Sequence, residues 1–415
     1  MTTFSDKKLT IINDPVYGFI NVSDVSLFDL IETPCFQRLR NIKQLGLTHL
    51  VYPGALHTRF HHALGAMYLM SQAIDILRFK GHDISETEAL AATQAILLHD
   101  MGHGPFSHAL EHTIIEELSH EDLTEMFMRR LDANTPHGLE EAISIFKNSH
   151  PKKHLHQLVS GQLDMDRLDF LNRDSFFTGV SEGIISWDRI IKMLNISEEK
   201  LVIDKKGIYS IEKFIIARRL MYWQVYLHKT VIAAENMLAS LLKRARFLMQ
   251  AGEQLHASPP LKRFLGNTYN RKDFIGDSSL LDDFALLDDT DISAAVKMWR
   301  THDDIILNTL AEGLLNRKLF RIEIQKSPFS EEYVFNIKKA VLKKYGFGDA
   351  EDAGYFVIGG LTSNNAYDPG AGGIMILSPD GELRDVGEAS DQLNINVLSQ
   401  PVEKHFLCYP KTIHV

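Results

Sequence analysis

From Asp24 to about Ile42 the apolar residues Leu27, Leu30, Ile31, Phe36, Leu39 and Ile42 return at roughly the period of a helix face, and Pro34 divides the stretch into two helices. His61 to Phe79, with Leu64, Met67, Tyr68, Met70, Ala73, Ile74 and Leu77 apolar, reads as a helix. Ser85-Glu86-Thr87-Glu88 is a capping signature for the next helix, whose apolar run ends at His99; Gly102, Gly104 and Pro105 stop it. The pattern predicts further helices over 107–118, 120–132, 138–147, 151–171, 187–194 and 211–250. Residues 1–20 read as short and extended, with a turn at Asn13-Asp14-Pro15 and Gly18. LVIDKKGIYSI (201–211) reads as a hairpin turning at Lys205-Lys206-Gly207. Beyond about 320 the texture changes. Phe320–Ile324 alternates like a strand, 330–345 is helical, and Tyr355–Leu361 and Gly373–Leu377 read as strands joined by the loop SNNAYDPGAGG. Ser378-Pro379-Asp380-Gly381 is a turn signal. The expected fold is therefore mostly α, a helical bundle over 1–315 followed by an α+β lobe over 316–415.

Composition narrows the setting. A chain of 415 residues, 45% hydrophobic and 24% charged, buries a large core, which excludes disordered and fibrous classes. Its length fits one large domain with a smaller lobe. Two cysteines, Cys35 and Cys408, make neither a disulfide framework nor a four-cysteine zinc site. They fit a reducing compartment, and the opening MTTFSDKKLTIINDP lacks the apolar run of a signal peptide, so a cytoplasmic location is expected. No apolar run is long enough for a membrane span. The net charge of −10 argues against nucleic acid as a main partner.

Histidine changes the picture more. Of 19 histidines, 14 lie between His49 and His156, which raises the odds of a metal-dependent site. The densest signal is Leu97-Leu98-His99-Asp100-Met101-Gly102-His103-Gly104-Pro105-Phe106-Ser107-His108. Adjacent helical residues project about 100° apart, so His99 and Asp100 can reach one ion only near a helix end. The glycines let the chain approach closely and bring His103 and His108 to the same cleft. His57-Thr58-Arg59-Phe60-His61-His62 offers an arginine for phosphate and a histidine for metal. Asp164-Met165-Asp166-Arg167-Leu168-Asp169 stacks carboxylates around an arginine; read alone, it fits a solvated helix face as well as a site.

Together, His62, His99-Asp100 and Asp166 match the H…HD…D signature of the HD metal-dependent phosphohydrolases. The order ETPCFQRLR, KQLG, YPGA, HTRFHHALG, HDMGHGPFSH, His120-Glu121 and DMDRLDFLNRD resembles the deoxynucleoside triphosphate triphosphohydrolases of the dGTPase and SAM-and-HD-domain type over about residues 9–250. The resemblance implies an HD core over about 50–175. It also implies cleavage of a dNTP, dGTP favoured, at the α-phosphorus to deoxynucleoside and inorganic triphosphate. His62, His99, Asp100 and Asp166 would hold one divalent metal. A mixed nitrogen and oxygen set suits Mn, Fe, Co or Mg better than structural zinc, and additional Mg with the nucleotide is expected.

The same resemblance places His103, His108 and His120 in the catalytic set. His108 is the expected proton donor, since a nucleoside alkoxide is a poor leaving group. Arg59, Arg167 and Arg218 would meet phosphate; Gln44 and Leu45 would face the sugar and exclude a 2′-hydroxyl; Asp174 would accept from the 3′-hydroxyl; Tyr226 and Phe170 would complete the pocket. Arg167 stands where the family usually has Lys. Phe170 stands where vertebrate members have a Tyr, which removes a hydroxyl donor. A second nucleotide, bound between subunits of a homo-oligomer (dimer or tetramer), would be met by Asn13, Asp14, Glu32, Gln37, Arg40, Arg317 and Arg321. A nucleotide phosphodiesterase or phosphatase of the same fold is the alternative, and a nucleotide sensor without activity a third; the full ligand set speaks against the last.

Overall fold

A computed structural model of the chain describes residues 10–414 except 23, 108–112, 114, 116, 134–137 and 392–399. The chain opens with an antiparallel hairpin, β1 (Thr10–Asp14) and β2 (Gly18–Val22), Thr10 opposite Val22 and Asp14 opposite Gly18. Its turn is closed by the Asp14 carboxylate, which accepts from the backbone of Val16 and Tyr17. Asp24 caps α1 (Val25–Ile31) by accepting from the Ser26 amide. Pro34 opens α2 (Pro34–Gln37), where its missing N–H costs nothing, and a 3-10 turn (Arg38–Asn41) continues it.

The centre of the molecule is α3 (Arg59–Phe79), packed against α4 (Glu86–Leu98) and α8 (Met165–Thr178). Small residues on α3 set how close the neighbours come. A Cβ at Gly65 would stand 2.0 Å from Asp169 Oδ1 and 2.2 Å from Arg173 Nη2, so only glycine admits that pair beside the helix. The Ser85–Glu88 capping box opens α4 as its sequence predicts. Between α4 and α8 lie α5 (His120–Asp132), α6 (Glu140–Phe146) and α7 (Lys153–Val159). Most of the helix expected over 107–118 lies outside the described residues.

Three expectations need correction. The helix expected over 151–171 is two, α7 and α8: residues 160–164 are non-helical, and the Asp164 carboxylate caps α8 by accepting from the Arg167 amide. The hairpin does not turn at Lys205–Gly207. Its strands are β3 (Leu194–Ser197) and β4 (Lys200–Asp204), turning at Glu198 and Glu199, both in the left-handed region (φ 52° and 61°), after α9 (Trp187–Met193). Lys205–Gly207 leads directly into α10 (Ile208–Met221), because Ile208, Ile211, Phe214 and Ile215 share a buried helical face that overrides the turn-like Lys-Lys-Gly. The helix expected over 211–250 is likewise interrupted. A π-turn at Tyr222–Tyr226, with Leu227 N–H on the Tyr222 carbonyl at 2.7 Å, separates α10 from α11 (Lys229–Gln250).

Five helices follow, α12 (Pro259–Gly266), α13 (Arg271–Gly276), α14 (Ser278–Phe284), α15 (Asp289–Trp299) and α16 (Ile305–Leu315). The C-terminal region is α+β: β5 (Arg321–Gln325), α17 (Glu331–Tyr345), β6 (Ile358–Asn364), β7 (Met375–Leu377), β8 (Leu383–Asp385), α18 (Val386–Ala389) and β9 (Val402–Tyr409). β9 runs antiparallel between β5 and β6, while β7 pairs parallel with β4 in a sheet ordered β3-β4-β7-β8. The fold is thus mostly α with a C-terminal α+β region.

Candidate metal centre

His99 and Asp100 follow α4 immediately, in the turn that Gly102 closes. That turn lies hard against α5: a Cβ on Gly102 would meet the His120 carbonyl at 1.9 Å, and the Gly102 amide donates to Thr124 Oγ1 at 2.9 Å. Arg38 reaches the same turn from the other side, donating to the carbonyls of Met101 and His103. Helix end, glycine and buried arginine together aim the pair at α3 and α8.

There they meet His62 from α3 and Asp166 from the first turn of α8. Ligand atoms of His62, His99 and Asp100 lie within 4.8 Å of one another. Asp166 Oδ1 stands 3.1 Å from His62 Nε2 and 3.6 Å from His99 Nε2, and Asp100 Oδ1 3.3 Å from His99 Nε2. Around an octahedral ion with ligands at about 2.1 Å, neighbouring ligands stand about 3 Å apart, so these spacings fit one ion. The ring faces fit too. His62 Nδ1 is 2.7 Å from Asp169 Oδ2, and His99 Nδ1 2.6 Å from the Ile96 carbonyl. Each outer nitrogen is thereby assigned the proton, which leaves both Nε2 lone pairs on the shared centre. Burial works against charge on His62, yet hydrogen bonds to Asp166 and Asp169 outweigh it and push the ring up to about 10.

The outer shell is deeper than the sequence motifs suggest. Asp169, fully buried, accepts from Arg173 Nε and Nη2 at 2.9 Å each, and Arg173 Nη1 donates to Asp14 at 2.7 Å. The Asp14 side chain is thus turned inward to Arg173. Arg59, also buried, pairs with Asp100 and donates to Ser107 Oγ at 2.8 Å. Phe106 and Ser107 both sit at φ 54°, a strained conformation for non-glycine residues that places the Ser107 hydroxyl on Arg59 and on the Lys43 carbonyl. His103 stacks on His120 at 4.0 Å; burial first, then Arg59, pushes its ring well below the usual histidine range.

The centre opens into a cleft of about 740 Å³. Of the expected residues, Gln44, Leu45, Arg59, His99, Asp100, His103, His120, Asp166, Phe170, Asp174 and Tyr226 line it. The Asp174 carboxylate takes His57 Nε2 on one oxygen and the Tyr226 hydroxyl on the other, each at 2.7 Å, and Phe170 stands edge-on to Tyr226. Arg167 pairs with Asp164, and Arg218 contacts Gln162 beside it; the two guanidiniums lie close enough that Arg167, after burial, lowers the Arg218 pKa. His108 lies outside the described residues. Asn13, Glu32, Gln37, Arg40, Arg317 and Arg321 are not among the lining residues. Gln37 and Arg40 bond each other at 2.7 Å, Arg317 bonds the Leu50 carbonyl, and Arg321 sits over Tyr409. Sequence reasoning gave no role to His57, Arg173 or the cleft residue Glu235. The last carried a signal, an acid four residues after Val231 and three before Leu238 on the buried face of α11.

Known proteins agree with this architecture. A crystal structure of a phosphohydrolase from Bacteroides thetaiotaomicron superposes with a TM-score of 0.93 at 51% identity, covering 97% of this chain and 100% of that one. Residues 185–258 match the HD associated region family. The chain belongs to the HD superfamily of phosphohydrolases. This HD phosphohydrolase is also 32% identical to the uncharacterized protein YwfO of Bacillus subtilis over 97% of its own length and 92% of that protein's. It is 31% identical to the deoxynucleoside triphosphate triphosphohydrolase SAMHD1 homolog of Dictyostelium discoideum over 61% of its own length. It spans 53% of that relative. Among the described residues no helix of the HD phosphohydrolase is long and apolar enough to cross a membrane.

Proposed function

We propose that the protein is a metal-dependent dNTP triphosphohydrolase with dGTP as favoured substrate, cutting at the α-phosphorus. The observation that carries this is the sharing of one cleft by His99, Asp100 and Asp166, backed by the buried His62, with the Arg59 guanidinium and the Asp174–Tyr226 pair. Bound there, a divalent metal (Mn, Fe, Co or Mg) would supply Lewis-acid activation and charge neutralisation at phosphate, with further Mg travelling on the nucleotide. The chain's own residues divide the rest. Arg59, Arg167 and Arg218 draw in the triphosphate, Arg forks being suited to phosphate oxygens. Asp174, held by His57 and Tyr226, accepts from the 3′-hydroxyl; Gln44 and Leu45 crowd the 2′ position. His108 gives a proton to the departing 5′-oxygen, with His103 and His120 beside it. Similarity to the Dictyostelium relative supports the reaction class.

Metal-loaded protein given each dNTP is expected to release tripolyphosphate and deoxynucleoside, fastest from dGTP, with GTP cleaved poorly. His108→Ala is expected to keep its metal and lose turnover by about 10²–10⁴-fold. Pyrophosphate or orthophosphate as the product would transfer the cleft to the phosphodiesterase or phosphatase reading. Wild-type turnover by His108→Ala would remove that residue from the reaction.

Gln37 and Arg40 pair outside the cleft, while the cleft has Arg59 in its lining. We propose that these two, with Asn13, Glu32, Arg317 and Arg321, serve an activating nucleotide bound between subunits of a homo-oligomer. dGTP turnover is expected to rise by a few-fold to about 100-fold when dATP or another dNTP is added, and Arg40→Ala to lose that rise. A wild-type enzyme that no nucleotide activates would leave these residues with intrachain roles.

A further inference from the structure

The wall of the cleft holds an acid, Glu235, that nothing above uses. Glu235 projects from the buried face of α11 between Val231 and Leu238, and lines the cleft beside Leu45, Gly46, Thr48 and Leu227. Its Oε1 would lie 3.8 Å from a Cβ on Gly46, and the Phe106 carbonyl 3.1 Å from the same point, so carboxylate and backbone meet at the Gly46 wall. A chain of contacts separates it from the metal centre: Asp100 to Arg59, Arg59 to Ser107, then Phe106 against Gly46. Among the described residues no cation or hydrogen-bond donor answers it. Burial alone therefore pushes its carboxyl up to about 7. Asp174, also in the cleft, has by contrast a donor on each oxygen. Glu235 is thus a half-buried acceptor group in the cleft with no partner among the described residues.

We infer that Glu235 reads the base of the bound nucleotide, and that it favours a base with two adjacent N–H donors, the arrangement guanine presents. This rests on reading the cleft as a nucleotide site. Two N–H donors set against Glu235 favour its ionised form, which only accepts, and its two oxygens match two parallel N–H groups. Adenine and cytosine place an acceptor beside their amino group, and thymine flanks one N–H with carbonyls, so each sets a lone pair against the carboxylate. A site that leaves a buried polar group mispaired discriminates strongly, here by about 10–100-fold for one bidentate contact.

The test measures binding of α,β-imido dGTP and dATP to the metal-loaded protein by calorimetry, with hydrolysis of the natural dNTPs alongside. Wild type is expected to bind the guanine analogue about 10–100-fold more tightly. In Glu235→Gln the amide offers one acceptor and one donor, so the preference should collapse or turn toward adenine. Glu235→Met should lose the preference without gaining adenine. Metal content and thermal midpoint should not fall in either variant. Equal binding of both analogues by wild type, no binding of either, or an unchanged ratio in Glu235→Gln overturns the inference. The two readings separate cleanly. A Glu235-dependent preference without tripolyphosphate release keeps base reading and ends the triphosphohydrolase proposal. Tripolyphosphate released with the same base ratio by wild type and Glu235→Gln does the reverse.

Discussion

Asp100→Ala is expected to emerge from metal loading and dialysis without its divalent ion and with turnover reduced by about 10³-fold or more, since the lost metal would supply several kcal/mol at the phosphate. The effect is large because Asp100 joins two systems. One oxygen faces His99 and His103 at 3.3 and 3.4 Å, and the other holds Arg59. Arg59 is 3% exposed, and it also donates to the neutral Ser107 hydroxyl. Removing the carboxylate therefore strands a buried guanidinium, a loss of roughly 3–5 kcal/mol in stability besides the loss of metal. Asp100→Asn separates the two. Its amide oxygen can still accept from Arg59, so most of the stability should return while metal binding stays weak. Elemental analysis and denaturant unfolding of both variants check this. Metal content in Asp100→Ala equal to wild type would take Asp100 out of the ligand set.

The candidate ligands were legible in the sequence because chemistry restricts them. Histidine and aspartate side by side after an apolar helix, with two glycines behind them, leave few other uses, and His62 and Asp166 complete a recognisable order. What supports the ligands was not legible, because it depends on which helices touch. Asp169 and Arg173 read as ordinary helix-face charges four residues apart, and only the packing of α8 on Gly65 shows that they are buried. Asp14 reads as a turn residue and nucleotide contact, and it is the third member of that network. The helical pattern fared well where apolar spacing was long and regular, as in α3 and α4. It failed where two signals competed. Lys205-Lys206-Gly207 has the composition of a hairpin turn, but the apolar face of α10 begins at Ile208 and pulls the segment into a helix. β9 escaped notice because Phe406–Tyr409 is a continuous apolar run with no alternation, as a central strand covered on both faces should be.

Arg173→Met should be the most destabilising single change in the outer shell, by about 3–5 kcal/mol, although the residue touches neither metal nor cleft. Arg173 is fully buried and answers two buried carboxylates, Asp169 through two nitrogens and Asp14 through the third. Methionine fills much of the volume and answers neither. The pH dependence follows. Burial alone would raise the Asp169 carboxyl, but Arg173 and then His62 bring it below its usual value. A carboxyl depressed in the folded state contributes stability that is fully present above its unfolded value, about 4, and is lost as pH falls through the folded one. Without Arg173 the burial effect dominates and the sign reverses, so the variant loses stability as pH rises through the carboxylate range. The gap between wild type and Arg173→Met should therefore widen from acid to neutral pH in denaturant unfolding. Because Asp169 also fixes the His62 ring, metal affinity should fall by about 10–100-fold in the same variant. Adding Asp14→Asn should recover part of the stability but little of the affinity, since Asp14 has no contact with a ligand ring. A gap that does not change with pH would mean that the network is held by packing rather than by charge.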